Sequence, residues 1–189
     1  MVMAPVRPKM TAEEFLASGL EGHELVHGEP EEVQMSVKSA WVGSEAHRQI
    51  ANHALDSRLG TVFASEMQLK VWPDDPNHSR KPDVSFVSRG RIPAGALDQG
   101  YLTVVPDLIV EVVSPNDEAG KLRVKLADYK RAGVPLIWVI YPETRDAEVH
   151  RPGQPIEEIP RDGVLHGEGV LPGFTLSLAA LFAAAEAIH

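Results

Sequence analysis

The sequence predicts an α/β fold in which a β-sheet packs against helices. Two short apolar runs, 106–115 and 135–141, are bounded by prolines and are typical of buried strands. The helical pattern over 118–132 lies between them, so the three segments form a βαβ unit with parallel strands and a right-handed crossover. A third segment, 61–72, alternates apolar and polar residues, which indicates a strand with one buried face.

The elements that precede this core are a short helix, a hairpin and a longer helix. Residues 11–14 have capping-box spacing and open a helix that ends near Gly19. Residues 23–28 form a strand and turn, with 33–37 as the expected returning strand. Ser44 is the predicted cap of a helix that runs to Leu59 and stops at Gly60.

The remaining elements are strands and a terminal helix. Residues 81–87 predict a strand on which Asp83, Ser85 and Val87 share a face, and 90–100 is a connection. After the βαβ unit we expect three short antiparallel strands and, beyond 171–174, an alanine-rich helix. The three strands are 147–151, 157–159 and 163–165.

Length and composition predict one domain and are compatible with a reducing compartment. The 189 residues suffice for a single core. We divide them into an N-terminal helix and hairpin extension (1–42), a core (43–142) and C-terminal strands with a helix (143–189). The chain has no cysteine, and we expect neither a signal peptide nor a membrane span, so the predicted location is the cytoplasm.

Charge is unevenly distributed along this acidic chain. The formal net charge of −9 argues against a protein that simply coats nucleic acid. Seven glutamates lie between Glu13 and Glu32, whereas basic residues cluster in two later stretches. A local basic surface on an acidic protein binds phosphates, although solvated surface charges explain any single residue equally well. The candidates for nucleic-acid contacts are Arg80, Lys81, Lys121 and Arg123.

Two acids stand out as candidate metal ligands. Glu111 lies in the middle of an apolar strand, and Asp83 lies at the start of another. A buried carboxylate must be protonated, paired with a cation or bound to a metal. If the strands are neighbours, both acids and the carbonyl of Val112 suit Mg²⁺ or Mn²⁺. Lys125, at the edge of the buried stripe of the following helix, then completes a site for phosphodiester hydrolysis.

Structural explanations of the same residues stay open. A buried acid is more often a cap or an ion-pair partner than a catalyst, and Lys125 can simply neutralise Glu111. Glu66, Gln68 and His47 are further candidates to complete the site. Each of the three also has an adequate structural role, and for His47 that role is a hydrogen bond at the edge of the core.

A linked series of motifs resembles the Uma family of restriction endonucleases, a branch of the PD-(D/E)XK nuclease superfamily. The resemblance covers most of the chain, and the series is more specific than any motif alone. The main segments are 81–87, 106–115, 125–129, 133–135 and 138–140. The opening segments 23–29 and 35–36 with His47, and the closing segment 171–174, fit the same pattern.

The resemblance implies a restriction-endonuclease-like mixed β-sheet flanked by helices, with Asp83 as the acid of the Pro-Asp motif and Glu111 as the second acid. Val113 stands where the superfamily has its lysine, two residues after Glu111. The family is thought to supply that lysine from the following helix, which indicates Lys125. Lys121 stands where members of the family often carry an acid.

The predicted function is that of an Mg²⁺- or Mn²⁺-dependent endonuclease acting on nucleic acid, with DNA as the expected substrate. A homodimer is expected, because two-fold symmetry matches the duplex and cutting both strands needs two sites. Two alternatives are a binding or scaffold protein that keeps the fold without turnover, and a metal-dependent hydrolase of a smaller phosphoester.

Overall fold

The computed structural model describes residues 9–186. Residues 1–8, which bear on the expectation of no signal peptide, lie outside the described residues. The helices are α1 (Ala12–Ser18), α2 (Val37–Asp56), α3 (Ala119–Ala132) and α4 (Leu178–Glu186). The strands are β1 (His23–Val26), β2 (Glu29–Glu32), β3 (Gly60–Ala64), β4 (Val84–Ser88), β5 (Leu108–Val112), β6 (Leu136–Tyr141), β7 (Asp146–His150), β8 (Glu157–Ile159), β9 (Val164–His166) and β10 (Thr175–Ser177).

A six-stranded mixed sheet forms the centre of the molecule, in the order β3-β4-β5-β6-β7-β8. Strands β5 and β6 are parallel and are joined through α3, whereas the other neighbours pair antiparallel. The predicted βαβ unit and the mixed sheet flanked by helices are therefore confirmed. Two smaller antiparallel sheets, β1-β2 and β9-β10, complete the fold.

The sheet separates two hydrophobic cores because successive side chains of each strand point to opposite faces. One core packs α2 and α4 against Val110, Trp138 and their neighbours. The other packs α3 against Ile109 and Val139, with Leu126 and Tyr129 as the buried residues of the helix. Glu111 follows the alternation of Ile109 and so belongs to the α3 face.

Local sequence signals account for the ends of α1 and α3. Thr11 and Glu14 form the predicted reciprocal capping box of α1, and Gly19 ends the helix in a left-handed conformation. Helix α3 begins after Glu118 and ends at Gly133, whose φ of 84° is costly for other residues. The predicted limits of this helix are confirmed to within one residue.

Several predicted boundaries are wrong. The strand predicted at 81–87 is β4, which begins only at Val84, and α2 ends at Asp56 and not at Leu59. The strand predicted at 61–72 ends at Ala64. Beyond Ala64 the chain is extended and half-buried, which explains the alternating pattern, but it pairs with other segments only through isolated bridges at Leu69. The strand returning from β1 is β2 rather than 33–37, since His27 and Gly28 both have positive φ and form a tight turn.

Helix α2 likewise begins earlier than predicted. Its cap is Ser36, whose hydroxyl accepts the backbone N–H of Ser39, and not Ser44. The Ser44 hydroxyl instead donates to the carbonyl of Ala40, which a serine inside a helix can do without interrupting it. The helix is therefore continuous across the position 42–43 at which we divided the N-terminal extension from the core.

The C-terminal part adds one strand that the sequence did not predict. The segment predicted at 163–165 is β9, which pairs with β10 in a separate sheet. Helix α4 follows β10 directly and packs on α2 in the core that covers the Trp138 face of the sheet. Among the described residues, no helix is long and apolar enough to cross a membrane.

Candidate active site

The register of β4 and β5 places Asp83 beside Glu111. Val84 pairs with Val110 and Ser85 with Ile109, so one more step along the antiparallel ladder puts Asp83 opposite Glu111. Residues opposite each other project to the same face of a sheet. Both residues line the same pocket beside α3, and Asp83 also borders a smaller cavity beside α2.

Asp83 directly precedes β4 and is held in place by a hydrogen bond from a backbone N–H. The N–H of Val112 donates to its Oδ2 at 2.6 Å, and only 9% of the residue is exposed. Burial raises the pKa of the Asp83 carboxyl to about 6, against the lowering effect of Lys125 and of the Val112 N–H. A divalent cation nearby would favour the ionised carboxylate and lower this pKa again.

Glu111 has a partner for each carboxylate oxygen. The Tyr129 hydroxyl donates to Oε1 at 2.7 Å, and Lys125 Nζ lies 2.9 Å from Oε2. Burial nevertheless raises the pKa of Glu111 to about 8, and the neighbouring acids Asp83 and Glu24 add to this effect. Each carboxylate oxygen has a second lone pair, so both partners leave room for a metal ion.

Lys125 reaches into this pocket from α3. Its Nζ donates to the carbonyl of Lys81 at 3.0 Å and contacts the carboxylates of Glu111 and Glu24. Although burial opposes it, these acids raise the pKa of Lys125 above its ordinary value. At neutral pH the side chain is therefore a fixed cation and not a proton acceptor.

Glu24 is the site residue that the sequence analysis missed. It lies on β1, is 3% exposed, and its Oε1 stands 3.0 Å from Lys125 Nζ. Burial works against ionisation, but Lys125 and Arg80 hold the pKa of Glu24 below its ordinary value. The sequence did carry a signal for Glu24, because it precedes Leu25 and Val26 in a short strand. An acid within such a strand is the pattern that identified Glu111.

Arg80 and Asp128 support Glu24 from behind. The Arg80 guanidinium donates to Glu24 Oε2 at 2.9 Å and to Asp128 Oδ2 at 2.6 and 2.9 Å. The backbone N–H of Lys81 donates to Glu24 Oε1 at 2.7 Å. Arg80 is only 4% exposed, so the prediction that it contributes to a basic surface is wrong. Its guanidinium forms ion pairs with the buried acids Glu24 and Asp128.

The pocket around these groups is predominantly acidic and has a volume of about 290 Å³. Three basic side chains, Arg80, Lys121 and Lys125, line it together with Val112. Seven acids outnumber them: Glu24, Glu31, Glu32, Asp83, Glu111, Asp117 and Glu118. Such a field concentrates divalent cations and repels a phosphate that arrives without one.

The other predicted residues lie around this pocket and not within it. His47 shares a separate cavity of about 170 Å³ with Asp83, on the α2 side. The Glu66 side chain is 84% exposed and pairs with Lys81, whose own side chain is 9% exposed. Gln68 bonds to Ser79 and to the carbonyl of His23, which is a structural role.

Lys121 and Arg123 are the exposed members of the predicted basic surface. Both lie on the first two turns of α3, and Lys121 is at the rim of the acidic pocket. The Lys121 side chain is 59% exposed and forms a weak contact of 3.6 Å with Glu118. Lys121 therefore lies beside the opening of the pocket, whereas Arg123, two residues further along the helix, projects from another side of α3.

The mixed sheet and the acidic pocket define a nuclease-like domain of the restriction-endonuclease type. Residues 12–179 match the family model Uma2, described as "Putative restriction endonuclease". Because the match covers most of the chain, the protein belongs to the Uma2 family, as the motifs indicated. No curated protein matches the chain at a significant level.

A solved structure shares the fold. It is described as a "putative nuclease belonging to DUF820" from Anabaena variabilis, and it superimposes with a TM-score of 0.79. The sequences are 23% identical, and the superposition covers 93% of this chain and 99% of the other. At this identity the similarity shows the fold alone.

Proposed function

We propose that this protein is a divalent-metal-dependent endonuclease that hydrolyses phosphodiester bonds in nucleic acid, with DNA as its substrate. The observation that carries the proposal is the convergence of Asp83, Glu111 and Glu24 near the buried ammonium of Lys125 in one pocket. Family membership supports the same class of reaction. Catalysis then resides at the junction of β4, β5 and α3.

The donor set fits Mg²⁺ or Mn²⁺. These ions take carboxylate, carbonyl and water oxygens, which Asp83, Glu111 and the carbonyl of Val112 would supply. The raised pKa values of Asp83 and Glu111 indicate buried carboxyl groups that lack sufficient positive charge. When bound, the ion supplies Lewis acidity toward a phosphate oxygen and lowers the pKa of a bound water.

Lys125 stabilises negative charge in this proposal. Its ammonium is held within 3.0 Å of two carboxylates, and the acids around it keep it protonated. A fixed cation held among buried side chains stabilises the charge that develops on phosphorus-bound oxygens. Glu24 and the Lys81 carbonyl fix the position of Nζ, so little reorganisation is needed as the charge develops.

Substrate binding is assigned to the exposed basic residues of α3. Lys121 lies at the pocket rim and Arg123 is exposed on the same turn of the helix, and both would contact phosphates of the bound nucleic acid. A homodimer would present two such sites to a duplex, in keeping with its pseudo-two-fold symmetry.

A cleavage panel tests the proposal. Supercoiled and linear duplex DNA, single-stranded DNA, branched DNA and RNA are incubated with the protein in Mg²⁺, Mn²⁺ or EDTA. We expect DNA cleavage that requires the metal and is lost in Asp83→Asn, while Glu29→Gln, an exposed change on β2, cleaves at the parent rate.

The same panel separates the two alternatives. Metal-independent DNA binding without cleavage under any condition would replace the proposal with a scaffold role, in which Lys125 neutralises Glu111 and Glu24 permanently. Turnover of bis(p-nitrophenyl) phosphate without cleavage of any polymer would indicate a hydrolase of smaller phosphoesters.

A further inference from the structure

A second group of potential metal ligands lies outside the acidic pocket. His27 is in the tight turn between β1 and β2, whereas Asp75 and His78 are in the loop that leads to β4. One ligand atom from each residue lies within 4.8 Å of the others. None of these three residues takes part in the proposed hydrolysis.

His78 has its two ring nitrogens in different environments. The residue is fully buried between the rings of His27 and Trp72. Its Nε2 lies 3.1 Å from Asp128 Oδ2, although the N–H is not aligned for a regular hydrogen bond. Its Nδ1 accepts a long bond of 3.3 Å from the backbone N–H of His27. The Asp128 carboxylate beside Nε2 places the proton there and leaves the single lone pair on Nδ1, which would exchange the long hydrogen bond from the His27 N–H for a metal ion.

His27 and Asp75 form the accessible side of the group. Their Nδ1 and Oδ2 atoms are in direct contact, and the side chains are 49% and 24% exposed. The His27 ring stacks on His78 with centroids 4.6 Å apart. Solvent thus reaches two of the three ligands, while the third is buried and fixed.

We propose that His27, Asp75 and His78 bind a first-row transition cation, with Zn²⁺ as the best fit. Two imidazoles and one carboxylate suit Zn²⁺ and leave a fourth position for water, whereas Mg²⁺ prefers a set of oxygens alone. Ligand atoms around a tetrahedral Zn²⁺ stand about 3.3 Å apart, given bond lengths of about 2.0–2.1 Å. Because His27 Nδ1 and Asp75 Oδ2 are already in direct contact, the exposed His27 ring would rotate to separate these two atoms and admit the ion between them and His78.

The ion would act as a cross-link between the hairpin and the core. The hairpin already contacts this loop through the backbone, because the N–H of Gly28 donates to the carbonyl of Asn77 at 2.7 Å. Strand β1 also carries Glu24, and the loop continues directly into Arg80. A metal at this junction therefore stabilises the arrangement that holds Glu24 in the acidic pocket, without itself touching that pocket.

Calorimetric titration of the full chain with Zn²⁺, in excess Mg²⁺, tests the proposal. We expect one bound equivalent, a tetrahedral absorption spectrum when Co²⁺ replaces Zn²⁺, and a rise in melting temperature on adding Zn²⁺. His27→Ala and Asp75→Asn change accessible side chains, and each should weaken Zn²⁺ binding at least tenfold and abolish the thermal shift.

Matched controls distinguish this site from the acidic pocket. His166→Ala removes an exposed histidine, and Asp74→Asn removes the acid next to Asp75; both should bind Zn²⁺ like the parent. Asp83→Asn should still bind one equivalent of Zn²⁺ although it no longer cleaves DNA. Loss of cleavage, which tests the proposed function, is therefore distinguished from loss of Zn²⁺ binding, which tests this site. No bound equivalent in the parent, or binding unchanged in His27→Ala and Asp75→Asn, would show that the three residues form only an ion pair and a ring stack.

Discussion

The carboxylate of Glu24 lies 3.0 Å from the ammonium of Lys125 and joins the N-terminal hairpin to α3. This contact makes the hairpin part of the candidate active site. Glu111 contacts the same ammonium from β5, so one cation lies between acids from two different sheets. Changes on either side of Lys125 should therefore alter the chemistry at the other.

Glu24→Gln tests whether the hairpin completes the site. The substitution keeps size and removes the charge that holds Lys125 and Arg80 in place. We expect metal affinity or cleavage to fall about 10–100-fold, as is usual when a residue that orients a metal site is changed. The measurement is cleavage rate against Mg²⁺ concentration, beside Glu29→Gln from the exposed β2. Parental kinetics in a folded Glu24→Gln protein would make Glu24 purely structural.

Glu111 should give the metal-free protein a distinctive pH dependence. Its pKa of about 8 in the fold exceeds the ordinary 4.5, so the folded state binds more protons between these values. Stability is therefore lost as pH rises from about 4.5 to about 8, by at most about 1.4 kcal/mol per pH unit. Asp83, with a pKa of about 6, acts in the same direction.

Urea unfolding in EDTA measures this effect. The free energy of unfolding of the parent should fall with pH relative to Glu111→Gln, which lacks the titrating group but keeps a hydrogen-bond acceptor for Tyr129. Equal pH slopes for the two proteins would mean that Lys125 keeps Glu111 ionised throughout.

Much of the candidate active site was predictable from single strands and helices. Glu111 stood out because an acid within an apolar run signals a buried charge, and Lys125 because helical spacing placed it beside a buried stripe. The pairing of β4 with β5, which brings Asp83 to Glu111, depends on a contact between distant segments. The motif series supplied the expectation that the two acids converge.

The remaining features depend on tertiary contacts that no local pattern encodes. Arg80 has the sequence signature of a surface cation, yet Glu24 and Asp128 surround it in the fold. The segment 61–72 alternates like a strand because its apolar residues face the core between α3 and the sheet. After Ala64, however, it forms only isolated bridges. Alternation reports burial, whereas strand assignment requires a hydrogen-bonded partner.

Charge reversal on α3 tests the substrate-binding surface. Lys121→Glu combined with Arg123→Glu should weaken DNA binding and reduce its salt dependence, because fewer counterions are released on binding. Both residues are exposed, so we expect the melting temperature to stay near that of the parent. Gel-shift titration of catalytically inactive Asp83→Asn at several salt concentrations provides the measurement. An unchanged salt slope would place the DNA on another face.

The oligomeric state follows from the proposed action on duplex DNA. Cleavage of both strands at one position needs two sites, and we expect a two-fold symmetric homodimer at micromolar concentration. Multi-angle light scattering gives the mass directly and is compared with the 20.6 kDa of one chain. A monomeric mass both with and without a DNA duplex would contradict the dimer and leave single-strand nicking as the expected product.

Lys125→Met separates catalysis from structural charge neutralisation. Methionine keeps the length and apolar stem but removes the cation that contacts Glu111 and Glu24. If the ammonium stabilises the transition state, turnover per folded molecule should fall about 10²–10³-fold, the loss typical of one preorganised electrostatic donor. Metal binding should persist, because the carboxylates supply the ligands.

A structural ion pair between Lys125 and the two acids predicts the reverse, with a large fall in melting temperature and nearly parental turnover in the folded fraction. Single-turnover cleavage and thermal melting of the same preparation decide between them, and Lys130→Met, an exposed lysine on the same helix, serves as the control.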